Sequence, residues 1–262
     1  MHDNAWLYDV ENSDYRDDVP FWEQLLDDFK PMRVLDVACG TGRLTFPLLA
    51  RGWARDPAFR IVGFDISPPL LTRAREHAAA LDAHLRSAVH FLDADMRSFD
   101  LGEQFDFILI GFNSLAYIHT LEEHRSCLRA VRQHLAPGGI LVFDLLVPQL
   151  SFLAEAQQPA PPLRLELDIT AQEHGVKRLM RFATERYDAA SQTDDTTYIY
   201  EIFRDDGSSE RFTDDLAWHM YYPHELTMLL EGADLNPVER WGNFARAPFG
   251  PRSKQYLWVC QG

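Results

Sequence analysis

The spacing of apolar positions changes along this chain, and the change marks off two regions. Between positions 34 and 146, short apolar runs alternate with longer segments in which apolar residues recur every three to four positions. Residues 34–37, 60–65, 89–92, 105–110 and 140–143 read as buried strands, and the segments between them read as helices. Ser67 followed by Pro68 supplies an N-cap and a proline at a first helical position. Thr120 and Glu123 form a capping box. His124, Leu128, Val131 and Leu135 then share one helix face, and Pro137-Gly138-Gly139 is expected to end that helix. Strands alternating with helices predict a parallel sheet covered on both faces.

Beyond position 157 the period drops towards two. A polar, proline-rich connector at 157–162 precedes a run in which Leu163, Leu165, Leu167 and Ile169 alternate with charged residues. Strand-like runs follow at 178–187, 196–203 and 211–220, with a hairpin turn at Asp205-Asp206-Gly207-Ser208. An antiparallel insertion over about 160–220 is therefore expected, placed over the strand ends. A helix at 224–230 and strands at 238–242 and 255–260 close the chain. The first thirty residues are acidic with scattered aromatics, and residues 21–26 read as a helix with Pro20 at its start. This stretch is expected to act as a lid.

Composition narrows the partners. With 40 acidic and 25 basic residues the formal net charge is −15, which argues against nucleic acid. No apolar run is long enough to span a bilayer. The opening residues lack a basic and then apolar signal region. Cys39, Cys127 and Cys260 are too few, and odd in number, for a disulfide framework. No His/Cys cluster has metal-ligand spacing. The expectation is a cytoplasmic enzyme with no membrane, nucleic-acid or metal partner. The insertion offers a surface for a homo-oligomer.

Four motifs carry chemistry. The first is Asp36-Val-Ala-Cys-Gly-Thr-Gly42, a strand end running into a glycine turn. Gly40 and Gly42 let backbone amides approach a ligand, and Asp36 is placed to accept from a cationic ligand group. The second is Gly63-Phe64-Asp65-Ile66-Ser67, with an acid about twenty residues past the turn that suits two ribose hydroxyls. The third is Asp93-Ala94-Asp95-Met96, and the fourth is Gly111-Phe112-Asn113-Ser114-Leu115-Ala116-Tyr117. Ligands bind beyond the carboxyl ends of strands in such sheets, so the fourth motif should face the reacting group. A nicotinamide-binding reading is disfavoured because its glycine fingerprint needs Gly or Ala at position 45, which is Thr.

Together these motifs resemble class I S-adenosylmethionine-dependent methyltransferases, with Ala38 in the place of the first motif glycine. Val34 to Gly42, Asn113-Ser-x-Ala-Tyr117 and Tyr221-Tyr-Pro-His224 look more narrowly like glycine N-methyltransferases and amino-sugar N-methyltransferases. The resemblance implies a Rossmann-like doubly wound α/β sheet with an antiparallel β insertion, and S-adenosyl-L-methionine as cofactor. It implies that Asp95, with Asp93 as the alternative acid, bonds the adenine amino group while Met96 packs on the ring. It also implies that Arg33 pairs with the cofactor carboxylate, that Tyr8 closes over the cofactor with Tyr15 on the same lid, and that Asn113 contacts the acceptor. Tyr117 stands where the glycine enzymes carry His, and no arginine is placed to hold an amino-acid carboxylate.

The cofactor set is thus Tyr8, Tyr15, Arg33, Asp36, Ala38, Gly40, Gly42, Asp65, Ile66, Asp95, Met96, Gly111 and Phe112. The catalytic candidates are Tyr117, Asn113 and His219. His219 and Tyr221 share one strand parity, while Trp218, Met220 and Tyr222 share the other, and only one set faces the pocket. The reaction expected is methyl transfer to the nitrogen of a small-molecule amine. The alternatives are O-methylation and a non-catalytic S-adenosylmethionine binder.

Overall fold

A computed structural model describes residues 4–12 and 15–262; residues 1–3, 13 and 14, which belong to the expected lid segment, lie outside the described residues. Two units emerge, one formed by Pro148–Met220 and the other by the chain on either side of it.

The flanking unit is built on a seven-stranded sheet of order β10-β11-β5-β4-β1-β2-β3. Its parallel strands are β1 (Arg33–Val37), β2 (Arg60–Asp65), β3 (Val89–Asp93), β4 (Phe105–Ile110) and β5 (Leu135–Leu146). β11 (Gln255–Gln261) runs antiparallel to β5, and β10 (Asn236–Trp241) antiparallel to β11. The parallel strands carry nearly unbroken apolar runs because both faces are covered, as in Val34, Leu35 and Val37 or Phe107 to Ile110. Helices α2 (Val19–Phe29), α3 (Thr45–Arg55), α4 (Pro68–Ala79), α5 (Ala83–Arg86), α6 (Leu121–His134) and α8 (Pro223–Glu231) accompany the sheet, and α1 (Ala5–Asn12) precedes them. One core joins Trp22, Leu25 and Leu26 of α2 to Leu48 of α3 and to Val34, Ile61, Phe107, Val142 and Val259 of the sheet.

Local chemistry sets the boundaries. Ser67 accepts from the Leu70 amide at the start of α4. Thr120 and Glu123 cap α6 reciprocally. One expectation needs correction: α6 stops at His134, and Pro137-Gly138-Gly139 lies inside β5. The β4–β5 register jumps there, from Phe105 opposite Leu135 to Phe107 opposite Ile140. The proline and glycines fill the resulting bulge. Chain order reverses between β1 and β4, which are neighbours in the sheet. Their carboxyl ends, Val37 and Ile110, therefore define the switch-point crevice where such sheets bind ligands.

The other unit holds α7 (Leu150–Ala156) and a four-stranded antiparallel sheet of β6 (Arg164–Ala171), β7 (Val176–Asp188), β8 (Thr193–Arg204) and β9 (Ser209–His219). The β8–β9 turn is tightened by Asp206, which accepts from the Ser208 amide at 2.9 Å, and by Gly207 at φ +86°. β9 ends at His219, so the parity expected to run through Tyr222 stops there, and Tyr221 belongs to the flanking unit. His219 pairs with Thr193 and Trp218 with Asp194, which places His219 and Trp218 on opposite faces.

Among the described residues no helix is long and apolar enough to cross a membrane.

Candidate cofactor and methyl-transfer site

Motif one leaves β1 through a run of left-handed residues: Ala38 at φ +58°, Gly40 at +57° and Gly42 at +90°. Ala38 occupies a conformation that glycine adopts without cost. The turn is anchored from the next strand. Asp65, buried at the end of β2, accepts from the Gly40 amide through Oδ2 and from the Ser67 amide through Oδ1, both at 2.9 Å. Burial raises its pKa, and the nearby Asp93 carboxylate adds to the shift. The acid of motif two and the glycine turn of motif one thus form a single cradle. A carboxylate has about four acceptor positions, so Asp65 keeps capacity for two hydroxyls. Beside it Ile66 and Leu92, at the ends of β2 and β3, are each 38% exposed, an apolar surface suited to a flat ring.

Asp36 lies buried at the base of the turn and accepts from Thr45 Oγ1 at 2.6 Å. Burial pushes its carboxyl up to about 7 despite that bond. Tyr8 of α1 stands over the turn, its hydroxyl 3.3 Å from where a Cβ on Gly40 would lie. Burial raises the Tyr8 phenol. α1 is tied to α4 by Asp9, which accepts from Arg73 at 2.8 Å.

Motif four is held by Asp144 of β5. Phe112 and Asn113 are consecutive left-handed residues, at φ +56° and +60°. Their amides donate to Asp144 Oδ1 and Oδ2 at 2.6 and 3.2 Å, a small nest around a carboxylate. Burial raises Asp144 to about 7. Gly111 admits Leu44, whose Cδ1 lies 2.5 Å from the place of a Cβ. Asn113 Oδ1 accepts from the Leu146 amide at 3.0 Å, so its oxygen is engaged within its own sheet. Tyr117 ends the 3-10 turn Ser114–Tyr117 and is half-buried.

Asp95 and Met96 follow β3, and both are half-buried. Arg97 chelates the Asp95 carboxylate, with Nη2 to Oδ2 at 2.6 Å, and reaches Glu123 at 3.1 Å. The Arg97 bonds hold Asp95 below the usual carboxylate range. Asp93, the alternative acid, is exposed.

Arg33 is the call the structure overturns. It opens β1, at the opposite end of that strand from the glycine turn, and its guanidinium reaches Asp106 at 3.5 Å with the side chain 49% exposed. The arginine at the turn is Arg43. It makes two 2.7 Å bonds to Asp18, and its guanidinium carbon lies 4.4 Å from the Phe112 ring centroid and 5.3 Å from that of Tyr15. Burial and the Asp18 charge push the Tyr15 phenol up to about 12. Arg43 thereby joins the N-terminal segment, the glycine turn and motif four.

Arg43, Asp18 and Asp144 were not anticipated. Arg43 directly follows the second turn glycine. Asp144 lies near the carboxyl end of an apolar strand, as Asp36, Asp65 and Asp93 do in theirs, and that repeat is a readable signal. Asp18 had no local signal, since its role depends on a partner twenty-five positions away. Among the described residues no group of three or more His, Cys, Asp or Glu side chains is arranged to hold a metal.

Known proteins are similar to this chain in sequence and in fold. Residues 34–139 match the family model described as a methyltransferase domain. The cypemycin N-terminal methyltransferase of a Streptomyces species is 26% identical over 232 residues, 87% of this chain and 82% of that protein. The dTDP-3-amino-3,4,6-trideoxy-alpha-D-glucopyranose N,N-dimethyltransferase of Streptomyces venezuelae is 34% identical over 112 residues, 42% of this chain and 41% of that one. For several curated relatives the matched stretch likewise spans about two-fifths of their length. The CcbJ methyltransferase structure from Streptomyces caelestis superposes with a TM-score of 0.74 at 24% identity, covering 94% of this chain and 90% of that one.

Proposed function

We propose that this chain, whose residues 34–139 match a methyltransferase domain, is a class I, S-adenosylmethionine-dependent enzyme that transfers a methyl group to the amino nitrogen of a small molecule. The observation that carries the reading is the Asp65–Gly40 bond, which makes the acid and the glycine turn one binding element at the switch point.

The residues fit the cofactor. Asp65 would take the ribose hydroxyls, Ile66 and Met96 the faces of the adenine ring, and Asp95 or Asp93 its amino group. Asp36 would receive the cationic amino group of the methionine portion, with Tyr8 and Tyr15 closing over it. Arg43 replaces Arg33 as the cation at this end of the sheet.

When bound, the cofactor supplies an electrophilic methyl on a sulfonium, and the acceptor's lone pair displaces the sulfur in line. The protein's work is then positioning and exclusion of water. The Asn113 side-chain NH2 would orient the acceptor, because its oxygen is held by Leu146. An amine must be neutral to attack, and the Tyr117 hydroxyl would accept a hydrogen bond from it or relay its proton. Nitrogen is favoured over oxygen because the names of the two curated relatives above are those of a cypemycin N-terminal methyltransferase and an amino-sugar N,N-dimethyltransferase.

The test is calorimetric titration with S-adenosylmethionine and, separately, NADH, followed by a screen of small amines and then phenols for S-adenosylhomocysteine release. Micromolar binding of S-adenosylmethionine alone, with turnover on amines, is expected. Absence of binding overturns the cofactor assignment. Turnover confined to phenols overturns the nitrogen assignment.

A further inference from the structure

The antiparallel unit contains two buried carboxylates, Glu185 and Asp194, served by one arginine, Arg164. On the β7–β8 ladder Glu185 lies opposite Thr196, and Tyr187 opposite Asp194. Glu185 and Asp194 are therefore diagonal neighbours on one face, with Cα atoms about 7 Å apart. From β9, Leu216 opposite Thr196 and Trp218 opposite Asp194 join the same face.

Both acids are buried, Asp194 to 2% exposure and Glu185 to 4%. Glu185 has a partner, since Arg164 donates to its Oε2. The same guanidinium also bonds Glu155 at 2.6 Å and lies over the Phe152 ring, so its charge is shared. Asp194 has no such partner: its buried Oδ1 accepts no hydrogen bond from any described residue. Burial, with the Glu185 and Asp195 charges nearby, pushes Asp194 up to about 6 against the attraction of Arg164. A fold gains nothing from an unpaired buried anion, whereas a cation with N–H donors would satisfy it.

We propose that Glu185 and Asp194, with Tyr187 and Trp218 as an aromatic wall, form a binding site for an organic ammonium group. Aromatic faces favour such a cation. A divalent metal would need more oxygen ligands than two carboxylates and a threonine hydroxyl supply.

The test compares wild type with Asp194→Asn, and with Glu185→Gln as a second variant. Calorimetry would use glucosamine and 1,4-diaminobutane as probes, with glucose and 1,4-butanediol as neutral controls. Binding of the cations alone is expected, weakening at least tenfold in Asp194→Asn and, for wild type, as pH falls through about 6. Asp194→Asn should also raise the melting temperature of the ligand-free protein, because an unpaired buried charge is removed. Failure of both cations to bind, equal binding of the neutral controls, unchanged affinity in Asp194→Asn, or a lower melting temperature in that variant overturns the site. So does binding of Mg2+ or Ca2+ in place of the ammonium probes.

Discussion

Arg43 and Asp18 form a two-pronged ion pair at 2.7 Å, with both side chains almost fully buried. Asp18 directly precedes α2, and Arg43 leaves the glycine turn, so this pair fastens the N-terminal segment to the cofactor cradle. Removing one partner strands the other's charge, at a cost of about 3 kcal/mol. Asp18→Asn should lower the melting temperature by roughly 6–12 °C, and Arg43→Lys, which keeps the charge, by less. Lysine loses the forked geometry that lets Arg43 bond both oxygens at once. Both variants should also bind S-adenosylmethionine more weakly in calorimetry. A melting point within 2 °C of wild type would show that the pair contributes little.

Ala38 at φ +58° makes a prediction of opposite signs at one position. Glycine removes about 1 kcal/mol of left-handed strain but makes the unfolded chain more flexible, so the two effects nearly offset. Valine, branched at Cβ, tolerates this region poorly. Ala38→Gly should keep the melting temperature within about 2 °C or raise it, whereas Ala38→Val should lower it clearly. Differential scanning fluorimetry on the two variants decides the point.

Asp36 gives a pH prediction. Its folded pKa of about 7 lies above the ordinary value of about 3.9. Between those values the folded state binds more protons than the unfolded state. This group's stabilisation is therefore complete below about pH 4, falls as pH rises through the window, and levels off above about 7. Asp36→Asn should reduce that slope without abolishing it, because Asp144 is raised to about 7 as well. Cofactor binding should run the other way. A cationic amino group needs the ionised carboxylate, so affinity should rise towards pH 7 and then flatten. A flat affinity profile from pH 5.5 to 8 would remove Asp36 from the cofactor's amino group.

Asp65 accepts from two amides of the turn and is the group proposed to take the ribose, so its replacement should act on binding more than on folding. Asp65→Ala takes an acceptor from the Gly40 and Ser67 amides and removes the group assigned to the ribose. Calorimetry should show S-adenosylmethionine affinity down by tenfold or more with a cooperative melt retained. Undiminished affinity would sink the assignment.

The parallel half of the fold was legible because its strands are buried on both faces and its helices carry strong caps. Thr120 with Glu123 and Ser67 with Pro68 mark helix starts by local chemistry alone. The α1 and α5 helices were not legible. Each is short, and what holds α1 in place is tertiary, such as Asp9 on Arg73. The site divided along the same line. Asp36, Gly40 and Asp65 are adjacent to strand ends and could be found by spacing. Arg33 was placed wrongly because proximity in sequence to the glycine turn ignores strand length: five extended residues carry it roughly 13–16 Å to the other end. Arg43 was passed over because its partners, Asp18 and Phe112, are distant in the chain.

Tyr221 and Tyr117 provide the last prediction, one of division of labour. The buried Tyr221 hydroxyl donates to the Leu115 carbonyl at 3.0 Å, and the Tyr256 hydroxyl donates to the Tyr221 carbonyl at 3.2 Å. Leu115 lies in the 3-10 turn that ends at Tyr117, so Tyr221 braces the turn from behind. Leu115 also accepts from the Ile118 amide at 3.1 Å, so Tyr221→Phe removes one of two donors and should cost only about 1 kcal/mol of stability. Its kinetic effect should be a modest fall in kcat as the turn loosens. Tyr117→Phe removes the hydroxyl assigned to the reacting amine and should lower kcat further, with S-adenosylmethionine affinity nearly unchanged in both variants. The pH dependence of kcat separates the roles: Tyr117→Phe should alter its shape if the hydroxyl handles the proton, and Tyr221→Phe should only scale it. Equal kinetics for Tyr117→Phe and wild type would reduce Tyr117 to a packing residue and leave the acceptor's proton to another group.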